Sequence, residues 1–477
     1  MTSAFNPEIF REYDIRGIAD RDLTDPVIER LGKAFVQYLR PIGINKVTIG
    51  YDARLSSPRL RDALGRGLNA SGMDVIDIGL CPTPALYFSL YHLKPGAGIM
   101  VTGSHNPAEF NGFKLCVDKD TIYGEEIQKV RRIMEKIQIR EDTQKAPDRS
   151  GNVSQHPIIP DYTDYLKSSF LEYQEVPLSV VLDSGNGTAG LVAPEVLRAM
   201  GCHVTELYSE PDGRFPNHHP DPTIPKNLET LISTVKKERA DFGVAFDGDA
   251  DRIGVVDEQG NVLWGDQLMV LFSRDILRDK PGATFVSEVK CSQTMYDDIR
   301  RHGGKAIMWK TGHSLIKAKM KETGAALAGE MSGHIFFADR YFGYDDAIYA
   351  ACRVVELLKK NRQQKKVKEP LGSLIVDLPK TFNTPEIRFD CPDALKFKVV
   401  DQIQHIYAAP EKLSLPVREV ITVDGIRAVF EKGWGLIRAS NTQPVLVMRF
   451  EAVDQASLQS IRTLMEEQVR KVIADLR

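Results

Sequence analysis

The chain has 477 residues, a length that suggests about three or four domains of ordinary size. Hydrophobic residues make up 42% of the chain and charged residues 27%, which is typical of a soluble protein with well-filled cores. The formal net charge of -3 gives no reason to expect nucleic acid or a membrane surface as a partner.

The cysteines and the N-terminal residues indicate a reducing compartment. The six cysteines are widely scattered and form no CxxC pair, which argues against a zinc or dithiol redox site. Charged residues such as Glu8, Arg11 and Asp14 leave no apolar stretch for a secretory signal near the N-terminus. No apolar run approaches the ~20 residues of a membrane helix. We therefore expect a cytoplasmic protein without a membrane segment.

An amphipathic helix predicted at residues 25–39 is followed by the first of three similar units. Each unit has a strand, a polar loop, a helix, a glycine and a second strand, which is the pattern of a βαβ unit in a parallel sheet. The units are predicted at 47–51, 58–70 and 73–78, then at 178–182, a helix to 200 and 202–207, then at 284–289, a helix to 302 and 305–309. Three occurrences indicate a repeated α/β domain type.

The last part of the chain has an α+β pattern. Strands are predicted at 387–389, 420–423, 426–430 and 445–450, and helices at 394–407 and 458–475. Composition suggests four domains, at 1–155, 156–256, 257–369 and 370–477. The polar stretch 141–157 suits a linker, and the basic segment 359–368 is predicted to be a solvated linker. The turn at 257–261 is either a domain junction or a hairpin within a domain.

The stretch TGSHNPAEFNGFKL, residues 102–115, follows a short apolar run that predicts a buried strand. A strand that ends in such a turn presents a side chain at the rim of the sheet, where open α/β folds place their chemistry. Ser104 is therefore a candidate reactive group. Taken alone, however, the stretch would be an ordinary turn of Ser, Asn and Pro.

The sequence FDGDADR places three carboxylates, Asp247, Asp249 and Asp251, directly after another apolar run. Carboxylates this close repel one another unless a cation neutralises them, and oxygen ligands favour a hard ion, Mg2+ before Ca2+ or Mn2+. The spacing resembles the start of an EF-hand loop. Because Arg252 occupies the position of the required glycine, a calcium sensor is not expected.

Two further polar loops follow apolar runs. In GEMSGH, Glu330 and Ser332 alternate and suit the vicinal hydroxyls of a sugar, although a plain polar turn is an equal alternative. RASNTQP offers a guanidinium, hydroxyls and an amide that suit a phosphate which is held rather than transferred. Its donors are Arg438, Ser440, Asn441 and Thr442.

Together these motifs resemble the α-D-phosphohexomutases, most closely their bacterial phosphomannomutase/phosphoglucomutase branch. TGSHNP, DGDADR, GEMSGH and RASNTQP occur in the family's order, and YDIRG, NGFK and KTGHSLIK match as well. The resemblance implies an α/β protein of three similar α/β domains with mixed sheets. A C-terminal α+β domain, similar to the TATA-binding protein, would complete a central cleft.

The resemblance also implies roles for individual residues. The catalytic group would be Ser104, as the phosphorylated serine, with Arg16, His105, Lys114 and His334. Mg2+ would be held by Ser104, Asp247, Asp249 and Asp251. The substrate would be bound by Tyr13, Arg252, Lys290, His313, Glu330, Ser332, Arg438, Ser440, Asn441 and Thr442.

The implied reaction interconverts hexose 1-phosphate and hexose 6-phosphate, with mannose and/or glucose as the sugar, through a hexose 1,6-bisphosphate that also acts as activator. Alternatives are a glucosamine-type mutase, a metal-dependent sugar phosphatase and an inactive sugar-phosphate-binding protein. Hexose phosphates are the expected partners, with no nucleic acid and no membrane, and the expected state is a monomer or weak dimer. The sugar must turn end for end, which predicts a movable last domain with a hinge at 370–378.

Overall fold

The computed structural model describes residues 5–139, 150–172, 175–366, 369–409, 411, 413–440 and 443–476. Within them the strands form four sheets, and the predicted series of three α/β units and one α+β unit is confirmed. No helix in these ranges is both long and apolar enough to cross a bilayer.

The described residues of the first unit form seven strands and four helices. Its elements are β1 Ile15–Ile18, α1 Asp25–Leu39, β2 Lys46–Tyr51, α2 Ser57–Ala70, β3 Asp74–Leu80, α3 Thr83–His92, β4 Gly96–Val101, β5 Phe110–Val117, β6 Asp120–Thr121, α4 Glu125–Ile139 and β7 Val153–Gln155. The strand order is β1-β5-β4-β2-β3-β7, with β6 on β5. Helix α1 has Pro26 in its first turn, and Val27, Leu31 and Phe35 lie on one buried face at a spacing of four.

The second unit has the order β12-β11-β10-β8-β9. Its elements are α5 Ile159–Ser169, β8 Leu178–Asp183, α6 Ala193–Ala199, β9 Cys202–Leu207, α7 Glu229–Glu238, β10 Phe242–Phe246, β11 Ile253–Asp257 and β12 Val262–Leu263. The predicted helix to residue 200 is divided, because a 3-10 turn at Thr188–Leu191 precedes α6. The expected boundary at 256–257 lies inside β11. The turn at 257–261 is a hairpin within the unit, one of the two alternatives considered, since β12 pairs with β11.

The third unit has the order β14-β13-β15-β16. Its elements are α8 Gly265–Asp279, β13 Thr284–Glu288, α9 Gln293–Arg301, β14 Lys305–Trp309, α10 His313–Thr323, β15 Leu327–Gly329, β16 Ile335–Phe337 and α11 Ala347–Lys365. The prediction of a solvated linker at 359–368 is wrong up to residue 365, where α11 ends. Lys359 is buried there because its stem lies in the core and its ammonium donates to the carbonyl of Met200 over 2.5 Å.

The three α/β units share one topology. Four strands in each, β3-β2-β4-β5, β9-β8-β10-β11 and β14-β13-β15-β16, are joined by two parallel pairings and one antiparallel pairing. The turn between the last two strands holds Ser104 in the first unit, Asp247 in the second and Glu330 in the third. Three of the predicted site loops therefore occupy the same place in a repeated fold.

The fourth unit is an antiparallel sheet with two long helices. Its elements are β17 Phe382–Asn383, β18 Ile387–Asp390, α12 Asp393–Tyr407, β19 Val417–Ile421, β20 Ile426–Phe430, β21 Gly433–Ala439, β22 Val445–Ala452 and α13 Gln455–Asp475. Strands β17 and β18 pair with one edge of β22, and the order continues β22-β21-β20-β19. The prediction omitted β21, and Arg438 lies near its end. The exact ranges of the four domains stay predictions.

The apolar cores are not distributed evenly among the four units. One large cluster runs through all three α/β units, including Phe88, Tyr162 and Ile348, whereas the fourth unit has a cluster of its own. A small cluster of Val289, Trp434 and Leu436 connects the third and fourth units. Because apolar burial supplies most of the stabilising free energy, the fourth unit is the one least tied to the rest.

A buried arginine makes several polar contacts between the third and fourth units. Arg427 on β20 is fully buried, and its Nη1 donates to the carbonyls of Val289 over 2.6 Å and Cys291 over 2.7 Å. Its guanidinium also lies 3.7 Å from the centre of the Trp434 ring. These contacts hold the loop that carries Lys290 against the fourth unit.

A second arginine holds the segment that connects the same two units. Arg274 on α8 donates to both carboxylate oxygens of Asp377, over 2.9 Å each, and to the carbonyl of Leu374 over 2.9 Å. It also bonds to Asp298 on α9 over 2.7 and 2.9 Å. Most of the predicted hinge at 370–378 is therefore attached to the third unit, and its movement stays a prediction.

Candidate active site

Ser104 stands at the tip of the turn between β4 and β5. The residue is 4% exposed and has a φ of 47°, in the left-handed region that a short polar side chain tolerates best. Its N–H donates to the hydroxyl of Thr102, and its own hydroxyl donates to Asp247 Oδ2 over 2.8 Å. The turn thus directs one hydroxyl at the carboxylate loop of the second unit.

Arg54, in the loop after β2, holds the serine turn from behind. Its guanidinium donates to the carbonyls of Ser104 over 2.7 Å, Asn106 over 2.6 Å, Pro107 over 2.6 Å and Phe110 over 2.9 Å. Its side chain is fully buried and its Nε lies 3.2 Å from the carboxylate of Asp52. At Gly103 a Cβ would come within 2.4 Å of this guanidinium, so the close approach requires glycine. Arg54 was not predicted, although its loop follows a parallel strand.

Arg16 and His105 lie on either side of the serine turn. Arg16 donates to the carbonyl of Gly103 over 3.1 Å, to the side chain of Asn106 over 3.1 Å and to Asp14. His105 Nδ1 lies 2.9 Å from Asp221 in the second unit. Burial and the nearby Arg252 lower the pKa of His105 to about 3, despite the opposing effect of Asp221. His105 is therefore neutral at physiological pH, and Asp221 is a further residue that the sequence analysis missed.

The three aspartates among the four predicted metal ligands converge. Asp247, Asp249 and Asp251 are fully buried, and one carboxylate oxygen of each lies within 4.8 Å of the others. Lys114 from β5 reaches Asp249 Oδ2 over 2.8 Å and also Asp251. Burial alone would raise the pKa of Asp249, but Lys114 holds it below its ordinary value. Lys114, which was predicted to belong to the catalytic group, is itself buried.

This cluster has more negative charge than its protein partners neutralise. Burial and the carboxylates of Asp251 and Asp249 raise the pKa of Asp247 well above its ordinary value. Within the described residues, Oδ1 of Asp249 and Oδ1 of Asp251 are buried and accept no hydrogen bond. Buried acceptors without donors are costly, and a cation among them would remove that cost. The donor set is all oxygen and fits a hard divalent ion.

A cluster of ionisable side chains from the third unit, around His334 and Asp345, lies beside the carboxylates of the second unit. Arg252 donates to Nε2 of His334 over 3.0 Å, and Nδ1 of that ring lies 3.2 Å from Asp345. Burial alone would raise the pKa of Asp345, but Lys317, at 3.0 Å, and His334 hold it well below its ordinary value. Burial and Lys317 lower the pKa of His313, whose ring lies 5.5 Å from that of His334. Asp345 was not predicted.

Glu330 is fixed by the turn that carries His313. Its Oε1 accepts the N–H of Gly312 over 2.6 Å, and burial and Glu288 raise its pKa. Gly312 has a φ of 131° and packs on the ring of Tyr13, so only glycine fits there. Tyr13 in turn donates to the carbonyl of Thr311 over 2.8 Å. Ser332 is half-buried two residues after Glu330.

The fourth unit brings Arg438 to the same turn. Asp424 accepts from Arg438 Nε over 2.8 Å and from the N–H of Thr311 over 3.0 Å, so one carboxylate connects the two units. Asp424 was not predicted. Ser440 is buried beside Arg438, whereas Asn441 and Thr442 lie outside the described residues.

Lys290 lies across the junction of the third and fourth units. Its ammonium is 3.5 Å from Glu288 and 3.4 Å from Glu386, and the residue is 9% exposed. Burial would lower the pKa of Lys290, but the two carboxylates raise it, so the amine is charged. The structure thus brings the predicted site residues that it describes into one region where all four units meet.

The comparisons with known proteins cover nearly the whole chain and agree with one another. Residues 7–141, 160–260 and 264–381 match models of the phosphoglucomutase/phosphomannomutase alpha/beta/alpha domains I, II and III, and residues 386–468 match the C-terminal domain. The chain is 43% identical to a phosphomannomutase/phosphoglucomutase of Pseudomonas syringae pv. tomato, over 98% of this chain and 96% of that protein. It is 42% identical to a phosphoglucomutase of Neisseria meningitidis serogroup A, over 95% of each chain.

A solved structure gives the same result for the fold. A phosphoglucomutase/phosphomannomutase family protein from Burkholderia thailandensis superposes with a TM-score of 0.88 at 38% identity, over 98% of both chains. The order of the domains, the repeated turns and the four converging loops lead to one conclusion. The chain belongs to the phosphoglucomutase/phosphomannomutase family.

Proposed function

We propose that this protein is a mutase that interconverts hexose 1-phosphate and hexose 6-phosphate through a phosphorylated Ser104. The observation that carries the proposal is the 2.8 Å hydrogen bond from the buried Ser104 hydroxyl to Asp247 of the second unit. A phosphate on this oxygen would lie beside three carboxylates and Lys114. A phosphoserine can then give its phosphoryl group to either end of a sugar phosphate, with hexose 1,6-bisphosphate between the two transfers.

Asp247, Asp249 and Asp251, with an oxygen of the phosphoserine, would hold Mg2+. When bound, this ion neutralises charge on the transferring phosphoryl group. Lys114 pairs with Asp249 and Asp251 and so neutralises part of the negative charge that the ion would otherwise meet. Arg54 and Arg16 keep the backbone of the serine turn in place. Hexose 1,6-bisphosphate would activate the protein by phosphorylating Ser104.

The group of His334 and Asp345 is our candidate for proton transfer. The sugar hydroxyl that accepts the phosphoryl group has to lose its proton. Asp345 faces Nδ1 of His334, so Nε2 is the nitrogen that would accept the proton, and the guanidinium of Arg252, which donates to Nε2 in this structure, would have to move off that nitrogen when the substrate binds. Lys317 and His334 hold the pKa of Asp345 well below its ordinary value despite its burial, so an ionised carboxylate faces Nδ1 of the ring.

The substrate would be held by residues that do not react. Glu330 and Ser332 would accept and donate hydrogen bonds to O3 and O4 of the sugar. Arg438, Ser440, Asn441, Thr442 and Lys290 would bind the phosphate that stays in place. Because this phosphate site and Ser104 belong to different units, one sugar can bind in either direction.

We propose mannose and glucose phosphates as the substrates. GEMSGH carries Met331, where the glucosamine branch usually carries glutamine. The two sugars differ at C2, which Glu330 and Ser332 would not contact. A comparison of rates with the 1-phosphates of mannose, glucose and glucosamine tests this assignment. The highest rate with glucosamine 1-phosphate would contradict it.

The reaction itself is tested with glucose 1-phosphate, Mg2+ and a trace of glucose 1,6-bisphosphate. We expect glucose 6-phosphate as the main product, whereas free phosphate as the main product would indicate a phosphatase. Ser104→Ala should remove nearly all turnover and still bind sugar phosphate. Ser168→Ala, which changes an exposed serine on α5, is the matched control and should keep full activity.

The protein's surroundings are also a proposal. All six cysteines are buried as thiols, which suits the reducing cytoplasm. We propose a monomer or weak dimer, because one chain brings the four loops together. Light scattering at several concentrations measures this directly, and a tight dimer would contradict it.

A further inference from the structure

Two histidines and an aspartate that the proposed reaction does not use meet at the surface between the first two units. They are His92 at the end of α3, His156 directly after β7, and Asp161 in the first turn of α5. Nε2 of His92 lies 3.1 Å from Asp161 Oδ2, and Nε2 of His156 lies 2.7 Å from the same oxygen. The three ligand atoms lie within 4.8 Å of one another.

Two of these separations are close to those around a tetrahedral transition-metal ion, and the third, between the two imidazole nitrogens, is at most 4.8 Å. Ligands about 2.0–2.1 Å from Zn2+ lie about 3.3 Å from each other. The two measured separations, 3.1 and 2.7 Å, would have to open by less than an ångström. Imidazole nitrogen and carboxylate oxygen are also the usual zinc ligands in sites without cysteine. The fourth position would be left to water.

The fold holds each of the three ligands in place. The His92 ring stacks on Phe88, one turn earlier on α3, with centroids 5.1 Å apart. The backbone N–H of His156 donates to the carbonyl of Asp77 over 2.8 Å. Helix α5 is anchored by Tyr162, which is fully buried and donates to Asp346 over 2.6 Å. The ligand side chains remain 33% to 44% exposed, so an ion can enter from solvent.

We propose that His92, His156 and Asp161 form a binding site for a divalent transition-metal ion, with Zn2+ preferred. The site is separate from the buried all-oxygen cluster, which suits Mg2+. A bound ion connects α3 and β7 of the first unit to α5 of the second. It therefore strengthens the junction between these units without contact with the substrate.

The test uses Co2+ as a spectroscopic probe, added to tag-free full-length protein in a large excess of Mg2+. We expect one Co2+ per chain with the intense visible absorption of four-coordinate cobalt, and a higher unfolding temperature. Zn2+ should displace the cobalt. In His92→Gln and Asp161→Asn the affinity should fall by more than the roughly 10- to 100-fold that follows loss of an outer-shell partner.

The control is His203→Gln, which changes an exposed histidine on β9 and should bind Co2+ like the unaltered protein. Circular dichroism and mutase activity should be unchanged in all three variants. Absence of Co2+ binding under excess Mg2+, or equal binding in His92→Gln, overturns the proposal. Binding that Mg2+ abolishes also overturns it, because the ion then occupies the carboxylate cluster.

Discussion

Replacement of Arg54 by lysine tests whether the position of the serine turn, rather than its chemistry alone, limits the reaction. The guanidinium of Arg54 donates to four carbonyls between Ser104 and Phe110 at 2.6 to 2.9 Å. A lysine ammonium is a single point donor and can reach one or two of them. Loss of two buried hydrogen bonds at about 1–1.5 kcal/mol each lowers the free energy of unfolding by about 2–3 kcal/mol.

The effect on catalysis follows from the same contacts. A displacement of about 1 Å at a reacting group can cost about 100-fold in rate. For Arg54→Lys we expect kcat to fall by about 10- to 100-fold, while KM changes by less than about threefold. We expect KM to change little because the proposed phosphate-binding residues lie on another unit. The assay is steady-state conversion of glucose 1-phosphate, with intact-mass measurement of phosphorylated Ser104.

The control for Arg54→Lys is Arg362→Lys. Arg362 donates to the carbonyl of Pro177 over 2.8 Å and pairs with Asp241 over 2.5 Å, far along the chain from the serine turn. This variant should lose comparable stability and keep its kcat. A wild-type kcat in folded Arg54→Lys would refute the reasoning, and so would an equal loss of kcat in both variants.

Three further predictions concern charge. Asp247→Asn should lower kcat by at least about 100-fold and abolish the response to added Mg2+, measured by titration after chelation; an unchanged Mg2+ response would contradict the assigned ligand. Asp424→Asn should free Arg438 and raise KM for glucose 1-phosphate by about tenfold, equivalent to about 1.4 kcal/mol, with little change in kcat; an unaltered KM would be inconsistent with this. Burial raises the pKa of Asp346 from 3.8 to about 6, so its protonated form favours the folded state. Below pH 3.8 this protonated carboxyl adds about 3 kcal/mol to the free energy of unfolding. The contribution is lost as the pH rises through about 6. Asp346→Asn should remove this pH dependence in denaturant titrations at pH 4 to 7, and parallel curves for the two proteins would count against it.

The elements and the four loops could be predicted because their signals are local. The helix at 25–39 has the predicted bounds, and the strands before Ser104, Asp247 and Glu330 are close to those expected. Each of these signals lies within about ten neighbouring residues. The prediction failed at 359–365, where a basic composition hid a buried helix, and at β21, which the RASNTQP motif partly overlaps.

The residues that support the site could not be predicted in the same way. Arg54 and Asp221 act on the serine turn from 50 and 116 positions away, and Asp424 meets Thr311 from 113 positions away. Each has an ordinary neighbourhood in sequence, such as a polar loop after a strand. Their roles depend on which loops the folded chain brings together, and no local pattern in the sequence shows which loops those are.

The contacts between the third and fourth units limit how the cleft can change shape. Arg427 meets the carbonyl of Val289, and Asp424 accepts from the N–H of Thr311, so the two units are joined at several points. Arg274, by contrast, holds only the connecting segment on the side of the third unit. A rotation of the fourth unit has to break several polar contacts together, so two discrete positions of the cleft are favoured over a continuous range.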